Sequence, residues 1–399
     1  MNEFQTINDM KPEAWTTSSN DALKLSLVDQ DGATQFNPTF TYPIFGSSEQ
    51  IFGYKGLHVY LAFDSITFKP FVNLKYTSKL DGEVEQVQEK LLEFLPNHDV
   101  IIKDEEKWVN EFRKEQENFT LPDERSKIFE YSADGENFAV YRTKLSDESI
   151  KKLHRRMRIF TLLFIESASY IDENDDTWDI FISFNKVTKQ CVGYTTAYQY
   201  WRYMGAAEFD NSQAAPKRAK ISQFLIFPPY QGKKHGSALY NAVFNLWLKD
   251  SQITEVTIED PNEGFDDLRD RNDLKRLYDT GLFDQIPDQL PIQESWLESK
   301  RSELKLERRQ FMRLLEMILL HNNSPNFRLQ VKKRLFEKNY DVLADMDVPN
   351  RNDKLQTAFQ SLKEDYLRIL SAVTFAKRKR EDHSQFEDSV KKTRTLASQ

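Results

Sequence analysis

Residues Gln223–Ala238 read Q-F-L-I-F-P-P-Y-Q-G-K-K-H-G-S-A, and no other run restricts the fold as much. Ile221 to Phe227 are mostly apolar and strand-like, Pro228 and Pro229 stop the strand, and a helix is predicted from Ser237 to about Lys249. Strand, glycine-containing loop and helix in that order point to an α/β protein. The first N–H groups of such a helix have no acceptor within it, and the helix dipole adds partial positive charge there. The loop is therefore a candidate anion site. Gly232 and Gly236 let the backbone approach a ligand, and Lys233, Lys234 and His235 add side-chain charge. On spacing alone, an ordinary surface turn fits equally well.

A second strand, Ile253–Ile258, runs directly into Glu259 and Asp260 before Pro261, and so delivers two carboxylates to a sheet end. Trp178–Phe184 and Val192–Trp201 are rich in aromatic and β-branched residues and flank a polar turn around 186–190, which predicts an antiparallel pair. Leu57, Val59, Leu61 and Phe63 alternate, as do Val72, Leu74 and Tyr76, and these predict a hairpin through Asp64–Pro70. Val84, Val87, Leu91 and Leu95 predict a helix ended by Pro96 and Asn97, and Ser146 is expected to cap another beginning near Asp147. Beyond Asp270 the pattern is helical. Leu355, Phe359, Leu362, Tyr366, Ile369 and Val373 form an apolar stripe, read as a core face or as a seat for a partner helix.

A chain of 399 residues, 39% hydrophobic and 30% charged, predicts a globular protein of two or three packed units. The net charge of -8 argues against a dominant nucleic-acid surface and suits a cationic partner. Cys191 is the single cysteine, so no intrachain disulfide forms, and the six histidines have no metal-site spacing. No apolar run approaches the ~18 residues of a membrane span. Met1–Trp15 lacks a signal-peptide pattern, so the expected compartment is cytosol, nucleus or both.

The run I-S-Q-F-L-I-F-P-P-Y-Q with its glycine loop, and V-T-I-E-D-P-N-E downstream, resembles the catalytic subunit of fungal type B histone acetyltransferases, a family of the GNAT superfamily. The resemblance continues in F-G-Y-K-G-L at Phe52–Leu57, L-L-F-I-E-S-A-S at Leu162–Ser169 and L-R-D-R-N at Leu268–Asn272. It implies a GNAT acyl-CoA N-acyltransferase fold with a mixed sheet. The expected division is an N-terminal α/β domain over 1–118, the GNAT domain over 119–270, a C-terminal helical region over 271–376 and a basic disordered tail over 377–399. The GNAT cofactor loop reads Gln or Arg, two variable residues, Gly, one variable residue, then Gly or Ala. Gln231 and Gly236 match, but Lys234 occupies the first glycine position. If that position has positive φ, a Cβ there costs roughly 1 kcal/mol or more and weakens cofactor binding.

By this resemblance the co-substrate is acetyl-coenzyme A. Backbone groups of Phe224, Leu225 and Ile226 would contact its acetyl and pantetheine parts. Gln231, Gly232, Lys233, Lys234, His235, Gly236 and Ser237 would hold the pyrophosphate, and Asn262 and Arg271 match further contacts. Transfer to lysine needs a neutral amine, yet a free lysine is deprotonated only about once in ~10³ at neutral pH. Glu259 is the expected general base, with Glu166 and Asp260 as neighbouring carboxylates that share the role or bind the cation. Read without the family, Glu259 and Asp260 are solvated strand-end residues. The resemblance also places Tyr198, Gln199 and Tyr200, and the loop Ser48, Glu49 and Gln50, near the histone tail.

The implied substrate is free histone H4, presented with H3, and the implied partner a WD-repeat histone chaperone that engages the Gly205–Lys217 loop. Lys377–Arg380 followed by Lys391, Lys392 and Arg394 resembles a bipartite nuclear-import signal, which fits residence in both cytoplasm and nucleus. Two rival readings use the same features: an N-acetyltransferase for small amines, and a histone-binding scaffold in which Lys234 has spoiled the cofactor loop.

Overall fold

The computed structural model describes residues 11–82, 84–96, 98–206, 210, 215–287 and 291–375. The basic tail beyond Phe375 and most of segment 207–214 lie outside the described residues. In the first third of the chain, strands Leu23–Asp29 (β1), Gly32–Phe36 (β2), His58–Asp64 (β3), Pro70–Lys75 (β4) and Ile101–Ile102 (β5) form one sheet, ordered β2-β1-β3-β4-β5. β3 and β4 are the predicted hairpin, with Leu61 opposite Val72. Val59, Leu61 and Phe63 all turn inward and are fully buried, as alternation requires. Two helices follow, Val87–Glu93 (α1), which leaves Val84 outside it, and Glu105–Asn118 (α2).

The second sheet has six strands in chain order: Lys127–Ala133 (β6), Glu136–Thr143 (β7), Asp179–Asn185 (β8), Cys191–Trp201 (β9), Lys217–Ile226 (β10) and Ile253–Ile258 (β11). Helices Glu148–Met157 (α3) and Ile159–Phe164 (α4) lie between β7 and β8. Asp147, rather than Ser146, caps α3: its Oδ1 accepts from the N–H groups of Ser149 and Ile150 at 2.9 and 3.4 Å. The carboxylate one position later is the acceptor in reach of the free first-turn amides. β8 and β9 form the predicted antiparallel pair. Only β10 and β11 pair in parallel within this sheet, and helix His235–Lys249 (α5) supplies the crossover that a parallel pair needs.

The described residues of 11–268 and of 295–311 form one compact unit. Both sheets contribute to its core, where Leu61 and Phe63 join Leu153 and Leu163 of the helices and Ile182 and Tyr194 of the second sheet. Phe160 on α4 is the hinge of this packing, with its ring centroid 4.9 Å from those of both Phe63 and Phe227. A second unit comprises the described residues of 269–294 and of 312–375. The longer helices toward the C-terminal end of the described residues are Glu263–Asp279 (α6), Glu294–Glu303 (α7), Arg308–His321 (α8), Phe327–Lys338 (α9) and Val348–Ser371 (α10). The stripe on α10 is core packing: Phe359, Tyr366 and Ile369 are buried, and Phe359 meets Phe327 of α9 at 5.5 Å between centroids. Val373 falls beyond the helix. No described helix is long and apolar enough to cross a membrane.

Candidate active site

β10 pairs with β9 along its whole length, from Lys217 opposite Trp201 to Ile226 opposite Gly193. On the other side the pairing with β11 stops at Ile221 and Ile258, and the Glu259 N–H donates the last bond, 2.9 Å to the Ile221 carbonyl. From Ser222 to Ile226 the strand therefore has a neighbour on one side only. Both chains cause the parting. Ser222 is an extra residue in β10, since Gln223 faces Thr196 and Ile221 faces Ala197, and a bulge of this kind bends the strand. Just past β11, Asp260 has φ 35° and Pro261 follows, which turns the chain out of the sheet. The Phe227 N–H donates to Val192 and the Gln223 N–H to Thr196 Oγ1, at 3.1 and 3.2 Å. Backbone groups alternate sides along a strand, so Phe224 turns its N–H and C=O toward the gap.

The gap opens into a cavity of about 330 Å³. Glu166, Glu259 and Asp260 all line it, together with Ser222, Phe224 and Asn262, so the three carboxylates expected to act together do converge. Glu166 stands exposed on the turn after α4. The next residue, Ser167, has φ 58°, and its N–H donates to the Tyr42 hydroxyl at 2.5 Å. Glu259 has both oxygens engaged. The Ser222 hydroxyl donates to Oε2, and the Lys220 ammonium lies 3.6 Å from Oε1. Neither Ser222 nor Lys220 stood out in the sequence. The available signal was a charge and a hydroxyl two residues apart, just before the apolar run Phe224–Phe227. Asn262 caps α6, with its Oδ1 accepting from the Phe265 N–H at 2.8 Å.

The anion loop follows the end of β10. Gln231 ties it back to the strand, its Nε2 donating to the Ile226 carbonyl at 2.9 Å. Lys234, at the N-cap of α5, has φ 72° and ψ 1°, so a residue with a Cβ does hold the left-handed position that the loop pattern gives to glycine. Gly232 has φ 75°. A Cβ on Gly236 would lie 2.7 Å from Leu268 Cδ1, so that glycine serves close packing. Lys233 and Lys234 are exposed at the loop surface, with Ser237 half-buried behind them. His235 does not add charge there, contrary to the expectation from sequence. Its ring is buried, with Nδ1 2.8 Å from the Tyr131 hydroxyl and its centroid 4.6 Å from that of Phe138. Burial depresses its pKa and keeps it neutral. An amide facing the gap at one end, and a cationic loop at a helix N-terminus at the other, suit a thioester and a pyrophosphate respectively. Arg271 lies on α6, half-buried, within the second unit.

Tyr198 and Tyr200 share one face of β9 and Gln199 points to the other. Tyr198 is half-buried, edge-on to Trp178 at 4.9 Å. Ser48 and Gln50 are exposed, and neither they nor Glu49 lines the cavity. Glu49 is a brace: Oε1 accepts from the N–H groups of Thr41 and Tyr42 at 2.6 and 3.0 Å, and Oε2 from Asn20 at 2.9 Å. The Thr41 hydrogen bond above all holds its pKa below the usual carboxylate range. Glu49 thus fixes Tyr42, and Tyr42 in turn fixes the turn that carries Glu166.

Residues 148–265 match the model of the acetyltransferase (GNAT) family. A sheet that parts beside a helix N-terminus is the working surface of that class, and the protein is a GNAT acetyltransferase with acetyl-coenzyme A as co-substrate. Residues 15–166 match the histone acetyl transferase HAT1 N-terminus, and 270–324 the fungal HAT1 C-terminal model. The Kluyveromyces lactis histone acetyltransferase type B catalytic subunit is 60% identical over 372 residues, covering 93% of this chain and 95% of that one. Its Eremothecium gossypii counterpart is 59% identical over 365 residues, covering 92% and 93%. The chain belongs to the family of histone acetyltransferase type B catalytic subunits, as its motifs implied.

Proposed function

We propose that this acetyltransferase modifies lysines in the N-terminal tail of free, newly synthesised histone H4, with Glu259 as general base. The observation that carries the reading is the meeting of Glu166, Glu259 and Asp260 at the gap where β10 loses its partner. Acetyl-coenzyme A supplies the activated acyl group. The Phe224 N–H is the donor for its carbonyl oxygen, and the loop from Gln231 to Ser237 holds the phosphates. Glu259 takes the proton from the lysine ammonium, and Ser222 keeps the carboxylate aimed while it does so. The amine attacks the thioester carbonyl directly, and the carbon–sulfur bond breaks as the amide forms, so that coenzyme A leaves as its thiol. Cys191 is no acyl carrier, because burial pushes its thiol up to about 12. The net charge of -8 and the acidic cavity favour a basic tail. The same reading gives H4 its H3 partner, puts a WD-repeat histone chaperone on the 205–217 segment, and has the basic tail direct passage between cytoplasm and nucleus.

Glu259→Gln is expected to lower kcat by about 10²–10³ while the Kd for acetyl-coenzyme A, measured by calorimetry, stays near wild type. Unchanged turnover would transfer the base role to Glu166 or Asp260. Mass-spectrometric mapping on free core histones, beside an assay with spermidine, tests the substrate. Comparable kcat/KM for the polyamine would favour a small-amine enzyme.

A further inference from the structure

Lys220 puts an ammonium where a lysine acetyltransferase meets its substrate's. The residue lies on β10 directly opposite Tyr198. Its Nζ is 5.7 Å from the ring centroid of Tyr198, 5.9 Å from that of Tyr200 and 3.6 Å from Glu259 Oε1. Two aromatic rings and a carboxylate are the chemistry that recognises an ammonium. Burial alone would lower the pKa of Lys220, but its contacts with Tyr198 and Glu259 outweigh that, and the side chain is charged. It takes the Glu259 oxygen that Ser222 leaves open.

The contact is nevertheless loose. A separation of 3.6 Å is too long for a hydrogen bond, and the Lys220 and Glu259 side chains keep 24% and 39% of their surface exposed. Exposed pairs of this kind contribute little and exchange readily. A cation on this chain is also anomalous beside a cavity with three carboxylates, since it repels the very group those carboxylates attract.

We infer that Lys220 is an internal stand-in for the substrate ammonium, occupying the subsite formed by Tyr198, Tyr200 and Glu259 until an incoming lysine displaces it. The inference rests on the proposed role of Glu259 and deepens it by naming what the carboxylate holds between turnovers. Lys220 is a positioning residue in this scheme. It also gives the site selectivity, because a tethered competitor has a high effective concentration. A free small amine competes poorly against it, whereas a lysine on a tail anchored elsewhere competes well.

The test is calorimetric binding of an N-terminal histone H4 peptide in the presence of coenzyme A. Lys220→Met is expected to tighten the Kd about three- to fivefold, the range an exposed ion pair supplies. Lys220→Arg should stay near wild type, and Lys220→Gln serves as the neutral variant if methionine unfolds the strand. In a Glu259→Gln background the same Lys220 change should have little effect, because no carboxylate is left to compete for. An unchanged or weaker Kd in both neutral variants overturns the inference. So does an equal gain in the Glu259→Gln background, which would indicate general charge repulsion. Wild-type protein that neither binds nor acetylates the peptide would instead overturn the proposed function, and the inference with it.

Discussion

Lys234 carries a side chain at φ 72°, where glycine is the unstrained choice. A left-handed non-glycine residue stores roughly 1–2 kcal/mol, and glycine's extra freedom in the unfolded chain returns roughly 0.5–1 kcal/mol of that. Lys234→Gly should therefore stabilise the protein by about 0.5–1 kcal/mol, read as a small rise in Tm. The same change removes a cation from the loop proposed to hold the pyrophosphate, so the Kd for acetyl-coenzyme A should weaken severalfold by calorimetry. A Tm that rises with no loss of affinity would show that the lysine charge does not reach the phosphates. The position was visible beforehand, because a loop pattern fixes which residue must turn left-handed. The fate of His235 was not, since only the packing of Tyr131 and Phe138 around its ring keeps it neutral.

At the level of elements, the site depends on β10 staying tight to β9 while it leaves β11. Gly193 makes the tight side possible: a Cβ there would lie 2.5 Å from the Leu225 carbonyl oxygen and 3.0 Å from Ile226 Cα. Backbone atoms cannot swing aside as a side chain does, so Gly193→Ala should push the strands apart and cost about 2 kcal/mol or more. Thermal melting checks the stability. An alanine variant with wild-type Tm and activity would mean that the sheet can widen without disturbing Phe224. Strands β3, β4, β8, β9 and β11 were all legible, because alternation and turn residues are local signals. The Ser222 bulge was not legible, because a bulge is defined only by the register of the partner strand.

Across the first unit as a whole, one buried imidazole makes stability depend on pH. His154 on α3 is buried, and neither ring nitrogen has a hydrogen-bond partner among the described residues. Desolvation lowers its pKa from 6.5 to about 4. The unfolded chain therefore binds the proton first as pH falls. The stabilising contribution is complete above pH 6.5 and is lost progressively down to about pH 4, up to about 3 kcal/mol in all. Asp99 acts lower down. Burial alone would raise its pKa, but Arg156 and Lys69 bring it to about 2, so its contribution is present above 3.8 and lost below that. His154→Leu should flatten the Tm curve between pH 6.5 and 4 and leave the steeper fall below it. An unchanged slope would place the acid sensitivity elsewhere.

Read by itself, the amino-acid order determined the α/β class, the strand and helix of the anion loop, the two carboxylates at the end of β11 and the apolar stripe of α10, though not what covers that stripe. Each of these is a periodicity or spacing within a few residues, and such patterns survive without knowledge of the rest of the chain. Tertiary structure alone decided that β10 and β11 part after Ile221, that Glu166 arrives beside Glu259 through the brace of Tyr42 and Glu49, and that Ser222 and Lys220 hold the carboxylate from either side. Those arrangements join residues distant in the chain, and their energies come from packing and register, which no local pattern encodes.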